Sequence, residues 1–260
     1  MPRDVVTVRL KVHDTTVEAR AEVPEGEASV ASLVPFLRSM TEAVVEVATD
    51  AVVAAGKPIS CRAGCGACCR QVVPISVAEA HVLADLVRAM PAERRAAVEE
   101  RFARALEALA ARGVLDELRA LATERDPDAM HRLGLRYFAA GVACPFLEDE
   151  SCGIHPDRPL ACREYLVTSP AEGCAAPEES TIERVLVPRD LSRALYRLGD
   201  GSEAPRERWV PLALALEWVA AHGALPLRSG RQIVEAFFAQ LQRTDLDRPA
   251  SGVVPAARKE

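Results

Sequence analysis

The stretch ISCRAGCGACCRQVVPIS, residues 59–76, holds four cysteines within nine positions, and the last two are adjacent. They are Cys61, Cys65, Cys68 and Cys69. Short spacings bring thiolates together at a low cost in loop-closure entropy. Gly64 and Gly66 favour a tight loop whose backbone amides point towards sulfur. The pattern therefore predicts metal binding, since free cysteines buried in a core would not include two sequence neighbours that point the same way.

A second group of four cysteines lies in CPFLEDESCGIHPDRPLACREY, residues 144–165, and in the loop that follows. Its members are Cys144, Cys152, Cys162 and Cys174. Residues 141–180 are rich in proline and glycine, and a loop of this length without structure of its own is uncommon in a compact domain. We expect a metal to hold it. Four plus four cysteines suit two four-thiolate sites, or one cluster with additional ligands.

The choice between zinc and iron depends on the adjacent pair. Structural zinc sites take four tetrahedral ligands, usually from C-x2-C pairs, whereas this chain has C-x3-C and two adjacent cysteines. Neighbouring thiolates fit more easily when each binds a different metal of a cluster. The sequence thus favours an iron–sulfur cluster and leaves Zn2+ open.

Basic residues accompany the cysteines. A site of four thiolates and one divalent metal carries a net charge of about −2. Four arginines next to or near the cysteines are positioned to offset it: Arg62, Arg70, Arg158 and Arg163. His155, between Cys152 and Cys162, is a candidate ligand or a group that supports one.

Composition limits the other classes of function. The 260 residues are 49% hydrophobic and 27% charged, which is typical of a globular protein. A net charge of −6 and 4% aromatic residues argue against nucleic-acid binding. The first residues lack the apolar stretch of a signal peptide, and charged residues interrupt the apolar stretch 29–55, so we expect a cytoplasmic protein without a membrane partner. A reducing compartment also argues against disulfides.

Periodicity predicts a mainly α fold, a helical domain around a cysteine-rich metal-binding core with a small N-terminal β-hairpin. The hairpin strands are 5–12 and 17–23, a short strand is predicted at 182–187, and the helices are 29–55, 76–89, 91–112, 114–123, 127–140, 189–198, 210–222 and 230–242. Ser76 and Glu79 form a predicted capping box. The predicted division is 1–27 hairpin, 28–180 cysteine-cluster metal-binding domain, 181–243 C-terminal helical extension packed on it, and 244–260 flexible tail.

The chain resembles the bacterial cysteine-cluster family of zinc- or iron-chelating domains (CxxCxxCC-type, YkgJ-like). Five segments carry the resemblance, in the same order: C-x3-C-x2-C-C, CPFL, C-G-I-H, R-P and A-C-R-E-Y, over about residues 58–170. A related cysteine motif occurs in flagellin lysine methylases. His155 stands where the family usually has Tyr, and Cys174 lies farther from the Cys-Arg pair than the family's last cysteine often does. The resemblance implies metal chelation and supplies no reaction.

We therefore expect a metal-binding protein in which the eight cysteines are the ligands, with no cofactor-binding residues beyond them. The expected partner is the metal ion or cluster, and a protein partner is left unidentified. Two other functions stay open. One is an iron–sulfur enzyme with a redox or methyl-transfer role similar to that of flagellin lysine methylases, for which the sequence names no catalytic residue. The other is a metal store or chaperone.

Overall fold

The computed structural model describes residues 3–12, 15–120, 126–176, 182–202, 209–246 and 253–254. The helices are α1 (Val34–Ala54), α2 (Val77–Ala89), α3 (Ala92–Ala111), α4 (Leu115–Ala120), α5 (Pro127–Ala139), α6 (Leu160–Glu164), α7 (Leu191–Leu198), α8 (Ala215–His222) and α9 (Gly230–Leu246). The strands are β1 (Arg3–Val12), β2 (Thr15–Pro24), β3 (Glu27–Ala28), β4 (Pro74–Ser76), β5 (Leu147–Glu148), β6 (Ser151–Cys152), β7 (Ile182–Glu183), β8 (Trp209–Pro211), β9 (Arg228–Ser229) and β10 (Val253–Val254). The mainly α prediction is confirmed.

The strands pair only in two-stranded antiparallel sheets within the described ranges: β1–β2, β3–β9, β4–β8, β5–β6 and β7–β10. The N-terminal hairpin is the longest, with Arg3 opposite Pro24 and Val12 opposite Thr15. Its alternating valines and leucine face one hydrophobic core, because side chains of a strand point to opposite faces in turn. The predicted hairpin is therefore confirmed, and its strands extend beyond the predicted bounds.

That core joins the hairpin to α1, α7 and α9. Leu37, Met40 and Val44 recur at helical spacing on α1 and are buried. Phe237 of α9 and Leu195 of α7 are buried in the same cluster. The N-terminal hairpin and the C-terminal helices thus share one apolar interior.

A second core lies between α2, α3, α4, α5 and α8. Ser76 and Glu79 form the predicted capping box at the start of α2, where the Ser76 hydroxyl accepts the Glu79 amide at 3.1 Å. Phe102 of α3 packs edge to face on Phe146 with ring centroids 5.4 Å apart. Since Phe146 follows Cys144 by two residues, this core anchors the second cysteine region.

The structure corrects the boundaries at three places. The predicted helix 210–222 begins at Ala215, because residues 209–211 pair instead with β4. The predicted strand 182–187 is limited to β7. The start of the predicted flexible tail belongs to α9, which runs to Leu246, and residues 247–252 and 255–260 of that tail lie outside the described residues.

Residues 141–176 contain structure of their own, contrary to the expectation of a long irregular loop. They include β5, β6, α6 and two turns of 3-10 helix, His155–Asp157 and Ala171–Ala175. Protein contacts anchor them: Glu79 accepts the Leu160 amide at 2.8 Å, and Arg101 donates to Glu148 at 2.6 Å. Protein contacts therefore help to place this segment on the helices.

Among the helices that the structure describes, we find none with both the length and the apolar character required to cross a membrane.

Candidate metal centre

The first cysteine loop is shaped by two tight turns. Gly64 has a φ of +79°, which glycine adopts without a steric penalty, and the Cys65 amide donates to the Arg62 carbonyl at 3.2 Å. A turn of 3-10 helix, Ala67–Arg70, then carries Cys68 and Cys69. The Cys69 amide donates to the Gly66 carbonyl at 3.0 Å. The loop folds on itself, so that its cysteines face a common centre.

The hairpin formed by β5 and β6 brings two cysteines of the second region to this loop. The Cys144 amide donates to the Cys69 carbonyl at 2.7 Å. Cys152 lies opposite Leu147 in the hairpin register. A single backbone hydrogen bond thus joins the two cysteine regions directly.

Close packing between Gly66 and Glu150 secures this contact. A Cβ added at Gly66 would lie 2.5 Å from Glu150 Oε2 and 2.9 Å from Leu147 Cδ1, so a larger residue would displace these side chains of the hairpin. The Arg70 guanidinium donates to Glu150 Oε2 at 2.9 Å and to the Gly66 carbonyl at 3.0 Å. Asp149 and Glu150 have φ of +47° and +57°, an uncommon conformation for residues other than glycine. This strained turn points the Glu150 carboxylate at Arg70.

Helix α6 and the 3-10 turn Ala171–Ala175 supply the last two cysteines. Cys162 lies on α6, whose first amide is held by the Glu79 carboxylate. Cys174 is buried beside Val167 and Ile182, and Cys61 packs against the same cluster. The Ser60 amide donates to the Val167 carbonyl at 2.9 Å, which holds the two strands of chain together. Backbone and apolar contacts therefore connect the segments that carry the two groups of cysteines.

The thiol pKa values report the same convergence. Burial raises the pKa of most of the thiols, to about 12 for Cys144 and about 11 for Cys174. Charge on Cys68 raises the pKa of six other cysteines: Cys61, Cys69, Cys144, Cys152, Cys162 and Cys174. The remaining one, Cys65, acts on the pKa of Cys61 and Cys174. Cys68 therefore lies at the centre of the group.

The thiols of Cys68 and Cys69 are adjacent and interact. Their interaction lowers the pKa of Cys68 to about 7 and raises that of Cys69. Of the two, Cys68 is the one that ionises near neutral pH. A thiolate is the form of cysteine that binds a metal.

The other thiols divide into two sets around Cys68. One set contains Cys61, Cys65 and Cys174, whose charges interact, and two of them, Cys61 and Cys174, share an apolar cluster. The second set contains Cys69, Cys144, Cys152 and Cys162. Each set draws on both cysteine regions of the sequence, so neither region forms a site alone.

The donor set fits a metal-binding role by its chemistry. All eight cysteines are free thiols, and soft thiolates suit zinc and iron–sulfur clusters. In the part of the chain that the structure describes, no group of three or more His, Cys, Asp or Glu side chains is arranged to hold a metal ion as it stands. Because protons occupy most of these thiols, loading must remove protons and draw the sulfur atoms in.

Solvent reaches the centre from the side of Cys65. A groove of about 310 Å³ lies over this residue, and Ala67, Phe138, Ala171 and Glu172 are among its lining residues. Cys174, by contrast, is buried. Cys65 therefore lies on the solvent side of the site and Cys174 on the protein side.

Three other residues lie in the segments around the cysteines. His155, the predicted ligand or supporting group, is exposed on its 3-10 turn, and the Arg158 charge is the main cause that lowers its pKa. Sequence reasoning missed Tyr165, which packs against the apolar cluster that contains Cys174, and Glu150, which positions Arg70. The only sequence signal for Tyr165 was its place directly after the Cys-Arg-Glu triplet.

A family model described as "CxxCxxCC: Putative zinc- or iron-chelating domain" matches residues 60–183. The matched range spans all eight cysteines and the helices α2 to α6. No curated protein and no solved structure matches the chain.

Proposed function

We propose that this chain binds its metal at one centre built from both cysteine regions, since residues 60–183 match the family model of a zinc- or iron-chelating domain. The ligands are the eight cysteines, grouped around Cys68. The observation that supports this is the convergence of thiols from residues 61–69 and 144–174 on that one residue. Thiolates at this density are rarely left without a metal in a protein without disulfides.

We propose an iron–sulfur cluster in preference to a single zinc ion. Zinc takes four ligands, whereas the centre offers two sets of thiols that share Cys68. Cys68 and Cys69 are adjacent and their thiols interact, and two neighbouring thiolates suit neighbouring metals of a cluster better than one small ion. The thiolates would hold the cluster, and iron would supply redox chemistry when bound.

The test is anaerobic purification followed by metal and sulfide analysis and a visible spectrum on one sample. We expect iron and acid-labile sulfide in stoichiometric amounts. Colourless protein with stoichiometric zinc would contradict the iron–sulfur cluster. It would still support a metal centre, with zinc bound by the same cysteines. Protein that retains neither metal, and takes up neither on reconstitution, contradicts the proposal.

Substitution of the shared cysteine gives the first prediction. Cys68→Ser should remove most of the bound metal and lower the melting temperature together, because metal binding and folding are linked. Ser60→Ala, a change in the same segment that removes no thiol, should keep the metal. Metal content per chain and thermal unfolding measure both effects. Full metal content in Cys68→Ser would argue against a central position for Cys68.

The enzyme and the metal store or chaperone remain hypotheses beside this one. Reductant-dependent spectral change supports a redox role, and rapid loss of metal to a chelator supports a store. A structural site does neither.

A further inference from the structure

The four arginines that flank the cysteines have different surroundings. Arg70 is paired with Glu150, and Arg163 is 3% exposed and paired with Glu42 of α1. Arg62 is exposed on the cysteine loop. Arg70 and Arg163 are thus already paired with carboxylates and Arg62 faces solvent, although the Arg70 charge also interacts with Cys69.

Arg158 differs from them. Its Nε atom is buried and has no hydrogen-bond partner, and none of the ion pairs among the described residues involves its guanidinium. Arginine is always charged and offers donors only, so a buried N–H that lacks an acceptor is unfavourable. An acceptor for the buried Arg158 Nε–H would remove this unfavourable situation.

The neighbours of Arg158 are thiols of both cysteine regions. Burial raises the pKa of Cys61 and Cys152, and the Arg158 charge acts against this on each. The same charge contributes to the lowered pKa of Cys68, after the interaction with Cys69. One cation thus faces thiols on both sides of the centre.

The backbone of Arg158 is held firmly. Its carbonyl accepts the Arg163 Nε at 3.0 Å, and its amide donates to the His155 carbonyl at 3.4 Å. Arg163 is in turn tied to α1 through Glu42. The guanidinium is therefore presented to the thiols by a rigid support and not by a free loop.

We infer that Arg158 is the internal counter-cation of the metal centre, and that its buried Nε–H donates to a thiolate sulfur of the loaded site. This rests on the proposed function. Loading replaces protons by metal and leaves net negative charge on the sulfurs, and a charge-assisted hydrogen bond then stabilises the loaded state more than the empty one. Hydrogen bonds to sulfur also raise the reduction potential of a cluster.

The test compares three variants in metal-loaded protein. Arg158→Gln removes the charge at similar size, Arg158→Lys keeps it, and Arg62→Gln removes an exposed charge from the cysteine loop. We measure metal per chain and the rate of metal loss to a competing chelator at neutral pH. Arg158→Gln should load fully but release metal about 10–100-fold faster, as for other groups that support metal ligands. Arg158→Lys should recover most of the retention, and Arg62→Gln should match the unmodified protein.

A second readout separates electrostatics from packing. If iron is bound, the midpoint potential of Arg158→Gln should become more negative, because reduction adds negative charge to a site that has lost its cation. Equal retention and potential in Arg158→Gln and Arg62→Gln overturn the inference and leave the proposed function intact. Equal losses in the Gln and Lys variants, with a lower melting temperature of the metal-free protein, also overturn it, since the role is then structural. A chain that binds no metal overturns both.

Discussion

Adjacent cysteines have different properties in this protein. The interaction between the two thiols lowers the pKa of Cys68 and raises that of Cys69, so Cys68 is the more acidic of two identical neighbours. Arg158 adds to this difference. At the residue scale, therefore, the candidate centre contains one acidic thiol, Cys68, and one cation, Arg158. The other thiols lose their protons when a metal replaces them.

His81 gives a residue-scale prediction away from the centre. Its Nε2 is buried without a partner, its ring packs edge-on against Trp218 at 5.9 Å, and burial is the main cause that lowers its pKa. The folded protein thus holds His81 neutral, whereas the unfolded chain protonates it near its ordinary pKa of 6.5. Stability is full above that value and falls as the pH drops through it, because the unfolded state then binds more protons.

Urea unfolding at pH 7.5 and 5.5 measures this effect. His81→Phe keeps the ring and cannot titrate, so it should lose less stability between about pH 7 and 5 than the unmodified protein. The same substitution at the exposed His131 should leave the pH dependence unchanged. An identical pH dependence in the His81 variant would show that the pKa of His81 does not differ between the folded and unfolded states.

At the element scale, α6 is a junction of only five residues. Three consecutive side chains leave it in different directions: Cys162 towards the other thiols, Arg163 towards Glu42 of α1, and Glu164 towards the start of α7. Glu164 accepts the amides of Leu191 and Ser192 at 2.9 and 3.1 Å, so it caps α7 in the manner of an N-cap residue. This short helix links the candidate metal centre to α1 and α7 of the first core.

The contact between the cysteine loop and the β5–β6 hairpin gives an element-scale prediction. Gly66 has a φ of −92°, so alanine is compatible with its backbone, and only the crowding by Glu150 and Leu147 opposes a methyl group. Gly66→Ala should separate the two cysteine regions, destabilise the fold by about 1–3 kcal/mol and reduce metal content.

Gly134→Ala is the matched control. Gly134 lies on α5 with no atom within 4 Å of the added Cβ, so alanine there should stabilise the helix by up to about 1 kcal/mol and leave metal content unchanged. Denaturant unfolding gives the free energy of unfolding of both variants, and metal analysis gives their metal content per chain. Similar effects of the two substitutions would mean that the hairpin contact is unimportant for the centre.

At the scale of the whole molecule, the metal centre lies between two hydrophobic cores that do not depend on it. Phe146 and Ile154 bind the second cysteine region to the core of α2 and α3, and Leu160 contributes to the core of α1 and α9. Apolar contacts therefore tie the second cysteine region to both cores. This predicts a folded metal-free state, unlike that of a classical zinc finger.

Removal of the metal tests this prediction. A chelator should lower the melting temperature while the far-ultraviolet circular dichroism keeps its helical signal, because free metal at about 100 times its Kd stabilises a fold by about 2.7 kcal/mol. Hydrogen exchange should increase in residues 60–70 and 144–174 and change little in α2 and α3. Loss of the helical signal on chelation would show that the metal, and not the cores, holds the fold.

Most of the secondary structure was predictable from local signals. Periodicity, Pro and Gly positions and the Ser76–Glu79 capping box define the helices, and alternation defines the hairpin. The errors lie where a distant partner decides: residues 209–211 pair with β4, and residues 147–152 form a hairpin on the helical core. Short strands take their pairing from tertiary contacts, which a local pattern does not contain.

The sequence by itself determined the chemistry of this protein: the number of thiols, their two groups, the basic residues among them and the helical scaffold, because these follow from residue type and spacing. Only the tertiary structure decided which thiols meet, since the sets around Cys68 mix both regions. The tertiary structure also distinguishes Arg158 from the other three arginines near the cysteines. Burial and the absence of an acceptor result from packing, and the sequence pattern does not contain them.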